Sequence, residues 1–218
     1  MSSRFDSDIK AALKASALYC RYGKINDLNK SIEIWERILS DPHFINEDRE
    51  LRLTVLNDSA GVYLFRYQAR GKLDDLTRAI NFSTTVVVTA LPDSPNMARY
   101  INNLGIGLKI NYVRTGNLSD LEQCISAFNQ SVDLTHNKTD NLSELPIYLN
   151  NLGDSLMLRY DKTCHASDLE QAVNDYQDAV DIIRKNALNP PELPLYTEKL
   201  EKARNLLNGL NKSEPIVS

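Results

Sequence analysis

Cysteine is scarce in this 218-residue chain: Cys20, Cys124 and Cys164 stand far apart, and their odd number leaves no disulfide framework. That points to the reducing interior of a cell, so a cytoplasmic location is expected. No apolar run approaches the roughly 20 residues needed to cross a bilayer; the longest candidate, Thr85 to Leu91, is far shorter. The opening Met-Ser-Ser-Arg-Phe-Asp lacks the apolar core of a secretory signal. Lys and Arg form no stripe or cluster, and a formal charge of -4 argues against general nucleic-acid binding. The eight glycines include no phosphate-cradling loop of the P-loop or Rossmann kind. Strand signals are also missing. Val86-Val87-Val88 is β-prone locally, but its place in the repeat described next puts it on a helix.

What the chain does contain is internal repetition. Leu56-Asn57-Asp58-Ser59-Ala60, Ile101-Asn102-Asn103-Leu104-Gly105 and Leu149-Asn150-Asn151-Leu152-Gly153 align without gaps. Eleven residues after the start of each stands a tyrosine (Tyr67, Tyr112, Tyr160), and four residues later Gly71, Gly116 and Cys164. Asp75-Leu76, Asp120-Leu121 and Asp168-Leu169 follow, then the small-plus-branched pairs Ala79-Ile80, Cys124-Ile125 and Ala172-Val173. A more divergent copy comes first, with Tyr19, Gly23, Asp27-Leu28 and Ser31-Ile32. Landmark positions 23, 71, 116 and 164 are 48, 45 and 48 residues apart. Glu144-Leu145-Pro146-Ile147-Tyr148 recurs as Glu192-Leu193-Pro194-Leu195-Tyr196, opening a fifth first helix without a second.

Apolar spacing within each copy is helical, as in Leu169, Val173, Tyr176 and Val180. Pro42, Pro92, Pro146, Pro190 and Pro191 fall where a helix must stop or start. Helical hairpins are expected at about 7–41, 50–91, 95–135 and 145–187, with a C-terminal helix over about 194–210, all in one domain, 1–218. Asn26, Asp74, Ser119 and Ser167 precede the Asp-Leu pairs and read as helix N-caps, with Glu122 and Glu170 completing capping boxes. Gly23, Gly71 and Gly116 suit a left-handed helix end. Cys164 would be strained in that conformation, so its turn is expected to be built differently.

Each unit resembles the tetratricopeptide repeat (TPR), most clearly through Leu149, Leu152, Gly153, Leu156, Ala172, Tyr176 and Ala179. The period is longer than the standard of about 34 residues. The phrases Leu-Asn-Asn-Leu-Gly and Thr-Gly-Asn-Leu-Ser-Asp-Leu-Glu also resemble the long repeats that precede caspase-like peptidase domains of the CHAT class in fungal and bacterial multidomain proteins. That likeness covers about residues 8–210 and brings no catalytic residue with it. The resemblance implies an all-α fold: a right-handed α-α solenoid of about four TPR-like hairpins and a C-terminal capping helix. It also implies a non-enzymatic scaffold or adaptor that holds a peptide or protein segment in a concave groove. The other reading is a self-associating structural or regulatory module that partners a separate effector, such as a caspase-like peptidase.

Candidate chemistry is thin. Cys164 and His165 are adjacent, and adjacent side chains in a turn rarely present a nucleophile to a base. Cys124 shares its repeat position with Ala79 and Ala172 and reads as a small buried residue. His43, His136 and His165 show no metal-ligand spacing. Asp74-Asp75 and Asp168 with Glu170 lie at helix starts, where the helix dipole already employs them. No catalytic residue, cofactor or metal is therefore expected.

Tetratricopeptide arrays line their concave face with first helices, so the resemblance maps inward positions to Asn57, Asp58, Asn102, Asn103, Asn150 and Asn151. Helical spacing adds Thr54, Arg99 and Ile147 on one side, and Gly61, Ile106 and Asp154 on the other. Asn is a poor helix former, so its recurrence in mid-helix wants a reason. Either one Asn of each pair bonds the neighbouring repeat and sets its stacking, or the amides pair with the backbone of a bound extended peptide. The C-terminal helix carries an apolar stripe of Leu195, Leu200, Ala203, Leu206 and Leu207 to cover the last hairpin. Weak self-association would then fall to the first hairpin, where Ile34, Trp35, Ile38 and Phe44 offer extra apolar surface. The expected partner is a protein or peptide, with no nucleic acid and no membrane.

Overall fold

Helix-spaced apolar positions punctuated by turn residues produce nine α-helices and no strand among the described residues of this computed structural model, which are 3–136, 143–186 and 191–213. The helices are α1 (Asp6–Tyr22), α2 (Ile25–Ser40), α3 (Arg49–Arg70), α4 (Leu73–Thr89), α5 (Met97–Thr115), α6 (Leu118–His136), α7 (Leu145–Thr163), α8 (Ala166–Lys185) and α9 (Leu193–Ser213). A single 3-10 turn, Phe44–Asn46, lies between α2 and α3. The β-prone Val86–Val88 sits on α4, where the repeat puts it. Position 187 and Pro190, assigned from sequence to the fourth hairpin's end and the break after it, lie outside the described residues. The chain forms two compact units, Met1–Gly107 and Leu108–Ser218, so α5 gives its first half to one and its second half to the other.

One turn device closes every hairpin. Gly23, Gly71 and Gly116 adopt left-handed conformations with φ of 67°, 67° and 72°. Their N–H groups donate to the carbonyls of Tyr19, Tyr67 and Tyr112 at 2.7, 2.6 and 2.7 Å. Cys164 does the same, with φ of 56° and a 2.8 Å bond to Tyr160. The different turn expected at Cys164 is therefore not found. An L-residue in this conformation costs about 1–2 kcal/mol, and the paired contacts that close the hairpin beside it outweigh that cost.

The cap assignment also needs correction. The second helices start two residues earlier than expected, after the extended residues Lys24, Lys72 and His165, none of which makes a side-chain cap bond. In α6 the cap is Asn117, whose Oδ1 accepts from Ser119 N at 3.1 Å. Asn26, Asp74, Ser119 and Ser167 are thus second helical residues, and Glu122 and Glu170 lie too far along to close a capping box. Glu122 instead accepts from Arg159 Nη1 at 2.8 Å.

The recurrent aspartate has a different task. Asp75, Asp120 and Asp168 are buried in the first turn of their helices and reach back to the residue nine positions earlier on the first helix. Arg66 donates to both Asp75 oxygens from Nε at 2.8 Å and Nη2 at 2.7 Å. Arg159 grips Asp168 in the same way at 2.9 and 2.7 Å. In the third copy Asn111 Nδ2 donates to Asp120 Oδ2 at 2.7 Å. Planar bidentate pairing suits a carboxylate taken out of water, and the free N–H groups of the helix start add their dipole. The bonded carboxylates hold the Arg66 and Arg159 guanidinium pKa values above the ordinary arginine range. The first copy has Leu18 at the partner position and no such clamp at Asp27.

Beside each aspartate, Leu28, Leu76, Leu121 and Leu169 are fully buried, each contributing about 1.5–3 kcal/mol. Small residues at the next landmark, Ser31, Ala79, Cys124 and Ala172, are all buried, which lets the two helices approach closely. Ser31 uses the approach to donate to the Ala12 carbonyl at 2.9 Å. Gly153 permits another close approach, since a Cβ there would lie 2.7 Å from a ring carbon of Tyr176.

The N-terminal apolar residues do not form a free surface. Ile34, Trp35, Ile38 and Phe44 are all buried within the first unit, and Phe44 meets Phe5 edge-on with ring centroids 5.7 Å apart. The long link between α2 and α3 folds Phe44 back into the core, which absorbs them. On α9, Leu200 and Ala203 are buried as expected, but Tyr196 takes the place foreseen for Leu195, which is exposed along with Leu206. Tyr100, Tyr148 and Tyr196 share one repeat position, and all three are buried.

Removing the arginine strands a buried carboxylate, so Arg159→Ala should lower unfolding free energy by about 2–4 kcal/mol in urea titrations. Cys164→Gly relieves the left-handed strain and should raise stability by about 1 kcal/mol in the same assay.

Candidate functional site

The first helices α3, α5 and α7 carry their Asn pairs in mid-helix, and the two members of each pair face differently. Asn57, Asn102 and Asn150 are buried, at 3%, 4% and 7% exposure, whereas Asp58, Asn103 and Asn151 are half-buried. A helix turns by about 100° per residue, so one member points into the helix packing and the next points away from it.

In the first unit the polar side chains form a relay. Asn102 Nδ2 donates to Asn103 Oδ1 at 3.4 Å, Asn103 Nδ2 to Asn57 Oδ1 at 2.8 Å, and Asn57 Nδ2 to Asp58 Oδ1 at 3.3 Å. The Asn103–Asn57 bond joins the first helices of successive repeats. Burial raises the Asp58 pKa, while the bond from Asn57 and the charge of Arg99 pull it down. Arg99 donates from Nη2 to Asn96 Oδ1 at 3.2 Å and lies over the Tyr100 ring. Ile106 is half-buried beyond this group.

In the second unit Asp154 is the centre. Its Oδ1 accepts from Tyr176 Oη at 2.8 Å and from Lys199 Nζ at 2.7 Å, and its Oδ2 faces Lys109 Nζ at 3.4 Å. Lys199 also donates to Asn150 Oδ1 at 2.9 Å. Lys199 on α9 therefore holds Asn150 of the preceding repeat, as Asn103 holds Asn57. Burial, and next the charge of Asp154, raise the Tyr176 pKa well above the ordinary phenol range, so Tyr176 stays a donor to Asp154. Ile147 stands out on this face at 46% exposure, and Leu195, at the same repeat position on α9, is 49% exposed. Buried Asn57 and Asn150 thus bond to a neighbouring first helix, Asn102 bonds to Asn103 on its own helix, and the exposed groups beside them are the ones offered to solvent.

Among the described residues, none of the three cysteines is hydrogen-bonded to a histidine. Cys124 is fully buried, donates its thiol to the Leu121 carbonyl at 3.1 Å, and has a pKa raised by that burial. Cys164 is exposed in its turn. His43 is exposed and pairs with Asp41 Oδ1 at 3.0 Å. Among the described residues no three His, Cys, Asp or Glu side chains are grouped to hold a metal ion, and no helix is long and apolar enough to cross a membrane. The sequence reading missed Asp175 on α8. It occupies a position filled by Ile34, Phe82 and Ala127 in the other copies, its Oδ2 is buried without a hydrogen bond, and burial with the nearby Asp178 pushes its pKa up to about 7. Comparison of the copies carries the signal, an acid in an otherwise apolar column.

No protein-family model and no curated protein matches the chain. Among solved structures, a kinesin light chain-like protein of Podosopora anserina with nearly identical TPR-like repeats is similar, with a TM-score of 0.65 and 16% identity over 97% of this chain and 91% of that one. A substituted form of that protein has the same TM-score and identity over 96% and 88% of the two chains. The fold is accordingly that of TPR-like helical repeats.

Asp175 makes stability depend on pH. Because its folded pKa lies above that of the unfolded chain, its contribution is complete below about pH 4 and is lost progressively as pH rises from there through about 7. Thermal melts of Asp175→Asn should match the parent near pH 4 and exceed it near pH 8, by about 2–4 kcal/mol.

Proposed function

We propose that this protein is a non-enzymatic scaffold or adaptor that holds a peptide or protein segment against the exposed faces of its first helices. The observation that carries the reading is the pair Ile147 and Leu195. Both are large apolar side chains left exposed at one repeat position, next to the Asp154–Lys199 group. Exposed apolar groups beside a rigid polar network suit a recognition surface, because the network fixes the geometry and the apolar groups gain by being covered. In the first unit Asp58, Arg99, Asn103 and Ile106 form the corresponding face, and Asn151 extends that of the second. The TPR-like fold supports the class of task, since such repeats stack helices into extended binding surfaces. The setting is the reducing interior of a cell. A partner chain carrying an effector such as a caspase-like peptidase is the second reading, supported by the motifs of the third and fourth copies.

Affinity capture from the source cell followed by mass spectrometry tests this. Ile147→Asp with Leu195→Asp should lose the proteins captured by the parent, while circular dichroism and melting stay unchanged, because both side chains are exposed. Equal capture by the parent and a folded variant overturns the assignment of this face.

A further inference from the structure

A second recognition feature lies in the first unit, on residues that the first-helix faces do not use. The end of α2, the 3-10 turn, the start of α3 and the end of α4 enclose a cleft of about 490 Å³. Its walls are mainly apolar, with Leu39, Phe44, Leu53 and Leu56, and Ile45 on its lining is 71% exposed. Two guanidinium groups, Arg49 and Arg52, also line it. Neither has a carboxylate partner among the described residues, and Arg52 Nε is buried without a hydrogen bond. The single acid of the lining, Asp41, is already occupied by Arg4 at 3.7 Å, by the His43 ring at 3.0 Å and by the His43 N–H at 2.8 Å. The cleft therefore presents apolar surface and unanswered positive charge together.

We propose that this cleft docks a partner polypeptide through a bulky apolar side chain flanked by a carboxylate. The apolar side chain fills the space between Phe44, Leu53 and Leu56, and the carboxylate accepts from Arg49 and Arg52. Burying the apolar group supplies affinity, and the planar forks of two arginines select a carboxylate over a neutral amide. The wall beside Ile45 is open to solvent, which leaves a peptide backbone hydrated. This fits a polypeptide better than a free fatty acid, whose whole chain must be enclosed. The cleft shares no residue with the Ile147 and Leu195 pair, so it can hold or fail independently of the first-helix reading.

The test is a titration of the whole protein, followed by methyl NMR, with the peptide acetyl-Glu-Leu-Leu-Glu-amide at up to a few millimolar. The expected result is shifts confined to Leu39, Ile45, Leu53 and Leu56. Binding should weaken by about tenfold or more when glutamine replaces both glutamates in the peptide, and likewise in the Arg49→Met, Arg52→Met variant. Methionine keeps the apolar stem and the helix, and unchanged circular dichroism verifies the fold. No shift at these methyls, equal binding by the glutamine peptide, or equal binding by the folded variant overturns the proposal. Decanoate shifting the same methyls where the peptide fails also overturns it and reassigns the cleft to a small carboxylate.

Discussion

A carboxylate buried at the start of a second helix has to be answered from the first helix, and that requirement organises the second, third and fourth hairpins. Asp75 and Asp168 are answered by bidentate arginine, and Asp120 by an asparagine amide. The partners are always nine residues apart, so the left-handed turn between them has to be tight and of constant length. That is why Cys164 accepts the glycine conformation: a looser turn would move Arg159 off Asp168. The buried leucine after each aspartate and the small residue one turn further on follow from the same close approach. The first copy lacks the clamp, with Leu18 in the partner's place, and relies on Ser31 and its apolar core.

Between repeats, asparagine amides take part beside ion pairs such as Arg159 with Glu122. Asn103 donates to Asn57 and Lys199 to Asn150, joining first helices of successive repeats within each unit. An asparagine that is unfavourable in mid-helix is retained because its buried side chain has a partner on the next helix. Asp154 concentrates this role in the second unit, bound by Tyr176, Lys199 and Lys109. The polar groups on the first helices are thus partly spent on packing, and the exposed apolar pair Ile147 and Leu195 is what that face offers outward. The cleft beside Phe44 differs in kind, because its two arginines have no carboxylate partner among the described residues.

Much of the architecture was legible in the chain. Period, turn glycines, helix count and the buried leucines follow from local spacing, since 3.6-residue periodicity and left-handed turn chemistry act over a few residues. The cap assignment failed by two positions because Asp, Asn and Ser serve both as caps and as first-turn residues. The constant nine-residue spacing from Arg66, Asn111 and Arg159 was present in the sequence as the missed clue. The N-terminal apolar cluster was misplaced because burial depends on how the α2–α3 link folds back, which no short-range pattern encodes. For the candidate site, sequence located the first-helix pairs but could not separate the buried member from the half-exposed one.

By itself, then, the sequence determined that this protein is a helical repeat with turns of fixed design, because those features are set by interactions within a turn or a single hairpin. Only the tertiary structure decided which polar side chains are consumed in packing and which surface is left over. The bonds that join first helices of successive repeats link side chains 40 or more residues apart in the chain, Asn57 with Asn103 and Asn150 with Lys199. Their chemistry is visible in one dimension, and their partners are not.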